Sequence, residues 1–347
     1  MKTKGVMKMG AIHKRTWVLL LLAGLPLEVS QGQTLVREYI YAGNRLIATD
    51  GPLPTITSLT ANPLSGTSTT ITVIVAGNPG YANLGVINLL VNSFLDGRYA
   101  CYVAVVPSGN GATVYLVDDF GNAGGPYASV AIPGSTGQAS NSQCTISAAG
   151  SSISMSGNQL TVSLKITFNI GFAGAKVIYA AARDLAGQNS GWQPAGTFFV
   201  GTPTFSVSPS AGTGASQTFS FTLTPPSGGS WSSSNPVVNV LLNSALDGTS
   251  ACYMAFLPAS QTQTLYLVND AGTNVLPTSI TLPSTTMINN SQCIIAGNSS
   301  SWNATTGVFT VRLTFTGAFK GDRIFYVAVR NDNSNSGWQA TGSWVVP

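Results

Sequence analysis

Carboxylates, indoles and thiols recur at matched places along this chain, and they are the groups that could do chemistry. Asp96 stands in Asn92-Ser93-Phe94-Leu95-Asp96-Gly97, and Asp247 in Asn243-Ser244-Ala245-Leu246-Asp247-Gly248. Asp119 follows in Tyr115-Leu116-Val117-Asp118-Asp119, and Asp270 in Tyr266-Leu267-Val268-Asn269-Asp270. Asp96 with Asp119, or Asp247 with Asp270, could supply the acid and base of glycoside hydrolysis, if a fold sets their separation beside a cleft. The same carboxylates could gather a calcium ion, which needs several converging oxygen ligands. No Asp-x-Asp-x-Asp-Gly loop accompanies them. The plainest reading assigns Asp96-Gly97 and Asp247-Gly248 to turns with left-handed geometry. We expect no catalytic residue, and calcium as the one cofactor these side chains could take.

Trp192 and Trp338 each sit in an Asn-Ser-Gly-Trp-Gln turn before a closing strand. Exposed there, an indole would stack on a sugar ring. Buried, it would cap a core and hydrogen-bond its N–H. Burial is the preferred reading, because the turn has the same neighbours in both places and aromatic area is a large core contribution. Trp302, with Trp231 and Trp344, has no matching Trp in the first half, so a sugar site, were there one, would be expected in the second. Arg183 and Arg330 precede the same turn and are expected to meet a carboxylate or a turn carbonyl.

Four cysteines allow three pairings. The repetition selects Cys101 with Cys144 and Cys252 with Cys293, since each unit then closes its own bridge. The sequence separations are 43 and 41. Loops of that size stabilise by about 4 kcal/mol through the entropy removed from the unfolded chain. No Cys-x-x-Cys or paired histidine offers a metal or redox alternative.

The elements that must position these groups are strands. Ile71, Val73 and Val75 alternate with polar residues, as do Leu160, Val162, Leu164, Ile166 and Phe168. The later copy repeats the pattern in Phe219, Phe221 and Leu223, then in Phe309, Val311, Leu313 and Phe315. Such alternation puts one face in a core and one in water. No segment after the leader has helical periodicity. Gly, Pro and Asn turns separate the short strands, which predicts antiparallel sandwiches.

The leader itself has a basic start, Lys8 with His13, Lys14 and Arg15, then the apolar run Trp17 to Leu27 and the small residues of Ser30-Gln31-Gly32. That is a secretory signal with cleavage expected after Gly32. Its removal takes Lys2, Lys4, Lys8, Lys14, Arg15 and Glu28, leaving basic and acidic residues equal in number. No basic block survives to favour nucleic acid or an anionic membrane. The one histidine, His13, leaves too, which excludes histidine triads and histidine-bound zinc. In a chain of 347 residues the charged fraction is only 7% while the hydrophobic fraction is 44%, so disorder is excluded.

Two stretches resemble known families. Val36-Arg37-Glu38-Tyr39-Ile40-Tyr41-Ala42-Gly43-Asn44-Arg45-Leu46-Ile47-Ala48 resembles the closing part of an RHS/YD repeat. A single unit has no neighbours to bury its faces against, so it reads as a remnant or docking hairpin. Asn62-Pro63-Leu64-Ser65-Gly66 and Ser208-Pro209-Ser210-Ala211-Gly212 resemble the entry to bacterial Ig-like domains. The region from 54 onward is similar to uncharacterised Ig-like modules of secreted environmental bacterial proteins. That resemblance implies an all-β chain of two tandem antiparallel Ig-like β-sandwiches, each with one internal disulfide. The cysteines do not match the usual Ig spacing, so a bridge between sheets is not carried over. The expected organisation is a signal peptide at 1–32, a hairpin and linker at 33–53, and sandwiches at 54–201 and 202–347. The expected role is a secreted, non-catalytic structural or adhesive protein at the cell surface or in the matrix. Its partner would be protein or polysaccharide, with no nucleic acid, and no membrane after cleavage. The alternatives are a carbohydrate-binding module using exposed Trp or Tyr, then a glycoside hydrolase.

Overall fold

The computed structural model describes residues 38–42, 45–50, 52–122, 124–225, 230–232, 235–258 and 263–347. The expected leader and its cleavage site lie outside the described residues. The YD-like stretch forms two antiparallel strands, Glu38–Ala42 and Arg45–Asp50.

The rest is two copies of one sheet pair. In the first, a five-stranded sheet runs Gln138–Ser140, Cys144–Ser156, Gln159–Phe168, Ser68–Ala76, Thr55–Asn62 in spatial order. It packs against a seven-stranded sheet ordered Ser65–Gly66, Gln193–Val200, Gly174–Asp184, Leu84–Asn92, Cys101–Ser108, Gly111–Leu116, Ala128–Ile132. The second copy repeats both sheets. Its five-stranded order is Ser206–Ser208, Ser216–Thr222, Val308–Phe315, Cys293–Asn303, Met287–Asn289. Its seven-stranded order is Ala211–Thr213, Gln339–Val346, Gly321–Arg330, Val237–Asn243, Cys252–Leu257, Thr264–Val268, Val275–Thr281. Pairing is antiparallel except at the short edge strand of each seven-stranded sheet, Ser65–Gly66 or Ala211–Thr213, which runs parallel to its neighbour Gln193–Val200 or Gln339–Val346. Helical structure among the described residues is confined to three-residue 3-10 turns, and no helix there is long and apolar enough to cross a membrane.

The alternation read from the sequence is the burial pattern. Ile71, Val73 and Val75 are fully buried with half-buried residues between them. The first core is mostly aliphatic, whereas the second is built on Phe219, Phe221, Phe256, Phe309 and Phe325. Phe256 stacks on Phe309 with ring centroids 4.5 Å apart, and Phe219 meets Phe325 at 4.6 Å. The bridges are Cys101–Cys144 and Cys252–Cys293. Each joins the seven-stranded sheet to the five-stranded one, so the inter-sheet bridge that the spacing did not suggest is present. All four cysteines are buried within the cores.

A third apolar cluster joins the copies. Leu90, Ala100, Val177 and Tyr179 of the first meet Leu241, Ala251, Ile324 and Tyr326 of the second. These eight are four corresponding pairs, as in a two-fold interface made by one patch used twice, and Ala340 of the second copy joins them without a matching member. Burial pushes the Tyr179 hydroxyl up to about 12. Tyr326 is driven higher by burial and by Tyr179 beside it.

Candidate functional site

The repeated words of the sequence are loop anchors. Asn92 is buried, and its amide donates to the Asp96 and Arg98 carbonyls while its Oδ1 accepts from the Ser93 N–H. Asn243 does the same with Asp247, Thr249 and Ser244. Asn141 donates to the Ala100 and Val117 carbonyls and accepts from the N–H groups of Gln143 and Cys144. Asn290 repeats that set. Each ties loop backbone groups together through one side-chain amide.

The carboxylates belong to these loops. Asp96 takes the N–H of Arg98 at 2.9 Å and its guanidinium at 2.6 Å. The Arg98 hydrogen bonds hold the Asp96 carboxyl down at about 2. Asp247 accepts from the Thr249 N–H, Asp119 from the Ser142 N–H, and Asp270 from the Ser291 N–H. Among the described residues, no group of three or more His, Cys, Asp or Glu is placed to hold a metal ion. The left-handed residues of the Asp-Gly loops are Tyr99 and Ser250, each at φ 49°, not the glycines. The glycine that the loop contact requires is Gly121, which packs on Gly97 and whose Cβ would come within 2.9 Å of the Gly97 carbonyl carbon. Gly248 and Gly272 repeat the contact at 2.6 Å.

The indoles lie elsewhere than expected. Trp192 and Trp338 cap neither core, being 36% exposed and half-buried respectively. They stand on the outer faces of the seven-stranded sheets, edge-on to Tyr102 at 5.7 Å and to Tyr253 at 5.8 Å. The Asn-Ser-Gly turn explains the placement. Asn189 accepts from the Gly191 N–H, and Ser190 accepts from the Ala182 N–H on the neighbouring strand. That fixes the turn against the sheet and aims Trp192 across it. Trp302 does not present an open face either: it packs edge-on against Trp231 at 4.9 Å and Phe256 at 5.6 Å.

Trp192 borders a groove of about 780 Å³ on the outer face of the first seven-stranded sheet. Strand register explains its shape. Ala181, Asn88, Ala104 and Tyr115 form one cross-strand row. The two alanines make a low floor, with the Asn88 amide between them. Tyr102 with Trp192 walls one side, and Tyr115 with Tyr127, 5.8 Å apart, the other. Burial pushes the Tyr102 hydroxyl up from its ordinary value. Arg183, expected to be paired, is exposed at the groove and makes no ion pair among the described residues. The one carboxylate in the lining is Asp184, 5% exposed, which accepts from Asn83 and from the Gln188 N–H. No second carboxylate faces it in the groove, so the acid–base pair of a glycosidase is not assembled there.

The two copies give this face a comparison of its own. Along Leu84–Asn92 the outward Val86, Asn88 and Leu90 recur as Val237, Asn239 and Leu241, whereas the inward Ile87, Leu89 and Val91 become Val238, Val240 and Leu242. Along Gly174–Asp184 the outward Tyr179, Ala181 and Arg183 recur as Tyr326, Ala328 and Arg330. The inward Ile178, Ala180 and Ala182 become Phe325, Val327 and Val329. The solvent face of the other sheet is retained only in part: Ser68, Thr70 and Thr167 recur as Ser216, Thr218 and Thr314, whereas Ile74, Thr161 and Ser163 become Thr222, Val308 and Thr310. Seam packing explains Leu90 and Tyr179. It leaves Asn88, Ala104, Tyr115, Ala181 and Arg183, which lie outside the seam cluster and line the groove. Sequence reasoning passed over Asn88, Ala104 and Ala181. Their signal was identity between copies in the strand phase that does not face the core.

No protein-family model matches the chain, and no curated protein matches it. Among solved structures, dimeric latent PorU from Porphyromonas gingivalis aligns with 94% of this chain and 21% of its own length, at 11% identity and a TM-score of 0.22. The chain thus spans about a fifth of that protein, and a likeness at this level carries no argument about fold or function.

Proposed function

We propose that this is a secreted, non-catalytic protein that holds polysaccharide in the groove of its first sandwich. The observation that carries the reading is the retained outer face, with a low alanine floor between two aromatic pairs. A pyranose chain offers apolar C–H faces to the rings of Tyr102, Tyr115, Tyr127 and Trp192, and hydroxyls to Asn88 and Arg183. The disulfide-stapled sandwiches, with boundaries at 54–201 and 202–347, suit an extracellular setting. A polysaccharide microarray followed by affinity electrophoresis tests it. Retardation by at least one polymer, lost in Trp192→Ala, is expected. Equal retardation of the variant, or none of either protein, would end the reading.

A second reading, adhesion to a protein surface, is favoured by one observation. Phe94, Tyr99 and Phe120 are 64%, 61% and 71% exposed on adjoining loops. The second copy has Ala245, Ser250 and Ala271 at those places. Surface attachment that Phe94→Ala with Phe120→Ala removes, and Trp192→Ala does not, would favour this reading over the first.

A further inference from the structure

We infer that the second copy carries a weaker polysaccharide site of its own, so that one chain grips a polymer at two points. This rests on the groove reading above. Ala328, Asn239, Ala255, Tyr266 and Ser279 form one cross-strand row on the outer face of the second seven-stranded sheet. It repeats the first copy's row of Ala181, Asn88, Ala104, Tyr115 and Ser129 residue for residue. The aromatic wall is repeated in geometry as well as in sequence. Tyr253 and Trp338 meet at 5.8 Å and 68°, Tyr102 and Trp192 at 5.7 Å and 70°. Core packing does not account for this, because most inward residues of the same strands have changed, Val103, Val105 and Val114 becoming Met254, Phe256 and Leu265.

Two differences make the second site the weaker one. Pro277 stands two residues before Ser279, where the first copy has Tyr127 two before Ser129, so the opposite wall lacks its second ring. The Asn239 Oδ1 also accepts from the Tyr253 hydroxyl at 3.4 Å, a bond that an incoming sugar hydroxyl must replace. Tyr102 and Tyr253 both pack on the seam between the copies, so the sites flank one buried contact and are held together. Once a polymer occupies one, engagement of the other is intramolecular, which raises avidity without any new contact. A repeating polysaccharide is the ligand class that offers the same epitope to both.

The test is calorimetric titration of the full chain with hexasaccharides of cellulose, xylan, mannan, chitin, galacturonan and alginate, then with the parent polymers. Two unequal sites per chain are expected for a hexasaccharide that binds. Tyr266→Ala should leave the stronger site, and Tyr115→Ala the weaker. Either change should lower polymer affinity about a hundredfold. Ala255→Val, which raises the second floor without removing a ring, should act like Tyr266→Ala and guards against a folding defect. One site per chain, lost in Tyr115→Ala and indifferent to Tyr266→Ala and Ala255→Val, overturns the second site and leaves the groove standing. Failure of every hexasaccharide and polymer to bind overturns both.

Discussion

Set side by side, the two copies fill their cores differently and dress one face alike. Where the first has Ile71, Val73, Val105, Val162 and Ile178, the second has Phe219, Phe221, Phe256, Phe309 and Phe325. The larger rings are accommodated by losses elsewhere: Leu89 becomes Val240, Leu164 becomes Val311, and Leu160 becomes Gly307. Cores tolerate such exchange when total volume and patterning are kept. A solvent face has no such packing constraint, and the outer face of the five-stranded sheet differs between the copies at Ile74, Thr161 and Ser163 while keeping Ser68, Thr70 and Thr167. The outer face of the seven-stranded sheet keeps its central row, Asn88, Ala104, Tyr115 and Ala181, and changes around it, where Val106, Tyr127 and Val177 become Leu257, Pro277 and Ile324. Leu90 and Tyr179 of that face meet the other copy across the seam, and we propose that the retained row beside them meets a ligand in the groove.

The comparison can be broken or sharpened, beginning with the largest effect. The bridges close loops of nearly equal length, with separations of 43 and 41. Replacing both cysteines of either copy by serine should therefore cost about 4 kcal/mol in both cases, read by denaturant unfolding of the double variants. Unequal losses would mean that the copies are not stapled alike. Next, Phe309→Val gives the second core the first copy's residue without its compensations, and should destabilise by about 2–4 kcal/mol through the cavity left beside Phe256. On the outer face the order reverses. Ala104→Val should alter stability by less than about 0.5 kcal/mol while reducing polysaccharide retention at least about tenfold, since it fills the groove floor.

Smaller effects come from titration. The Tyr179 hydroxyl is raised to about 12 in the fold, against about 10 in an unfolded chain. A raised acid stabilises the fold through its neutral form. The seam is therefore fully stable below pH 10 and weakens as pH rises from there toward 12. Spectrophotometric tyrosine titration with parallel melting curves checks this, and Tyr179→Phe with Tyr326→Phe should remove the alkaline loss. The smallest effect belongs to Arg98. Arg98→Ala should return the Asp96 carboxyl toward its ordinary range, seen by carboxyl carbon NMR. Because that carboxyl is depressed, its contribution is present above about pH 4 and fades as pH falls toward 2.

Much of the fold was legible in the sequence, for physical reasons that particular residues make clear. Side-chain period two in Leu160 to Phe168 can be read because burial alternates with the pleat. The bridges were legible because the chain is duplicated. The groove was not, because its floor is a row across strands. Ala181, Asn88, Ala104 and Tyr115 come from four strands, and only register makes them neighbours. Trp192 was misplaced because a repeated Trp with fixed neighbours looks the same in sequence whether it packs into a core or against an outer-face tyrosine. The Asp-Gly loops were recognised as turns, but the left-handed residue was assigned to the wrong position. Close approach of Gly97 to Gly121 depends on two loops meeting, which local turn preferences do not encode.

The central claim is that the outer face of the first seven-stranded sheet is a ligand surface. Hydrogen–deuterium exchange of the full chain, with and without a polymer that retards it in affinity electrophoresis, tests this most directly. The account predicts slowed exchange in 85–88, 102–106 and 183–192, with weaker protection of 237–239 and 253–257. Protection confined to the loop tips at 93–99 and 118–122, with the groove strands unchanged, would contradict it.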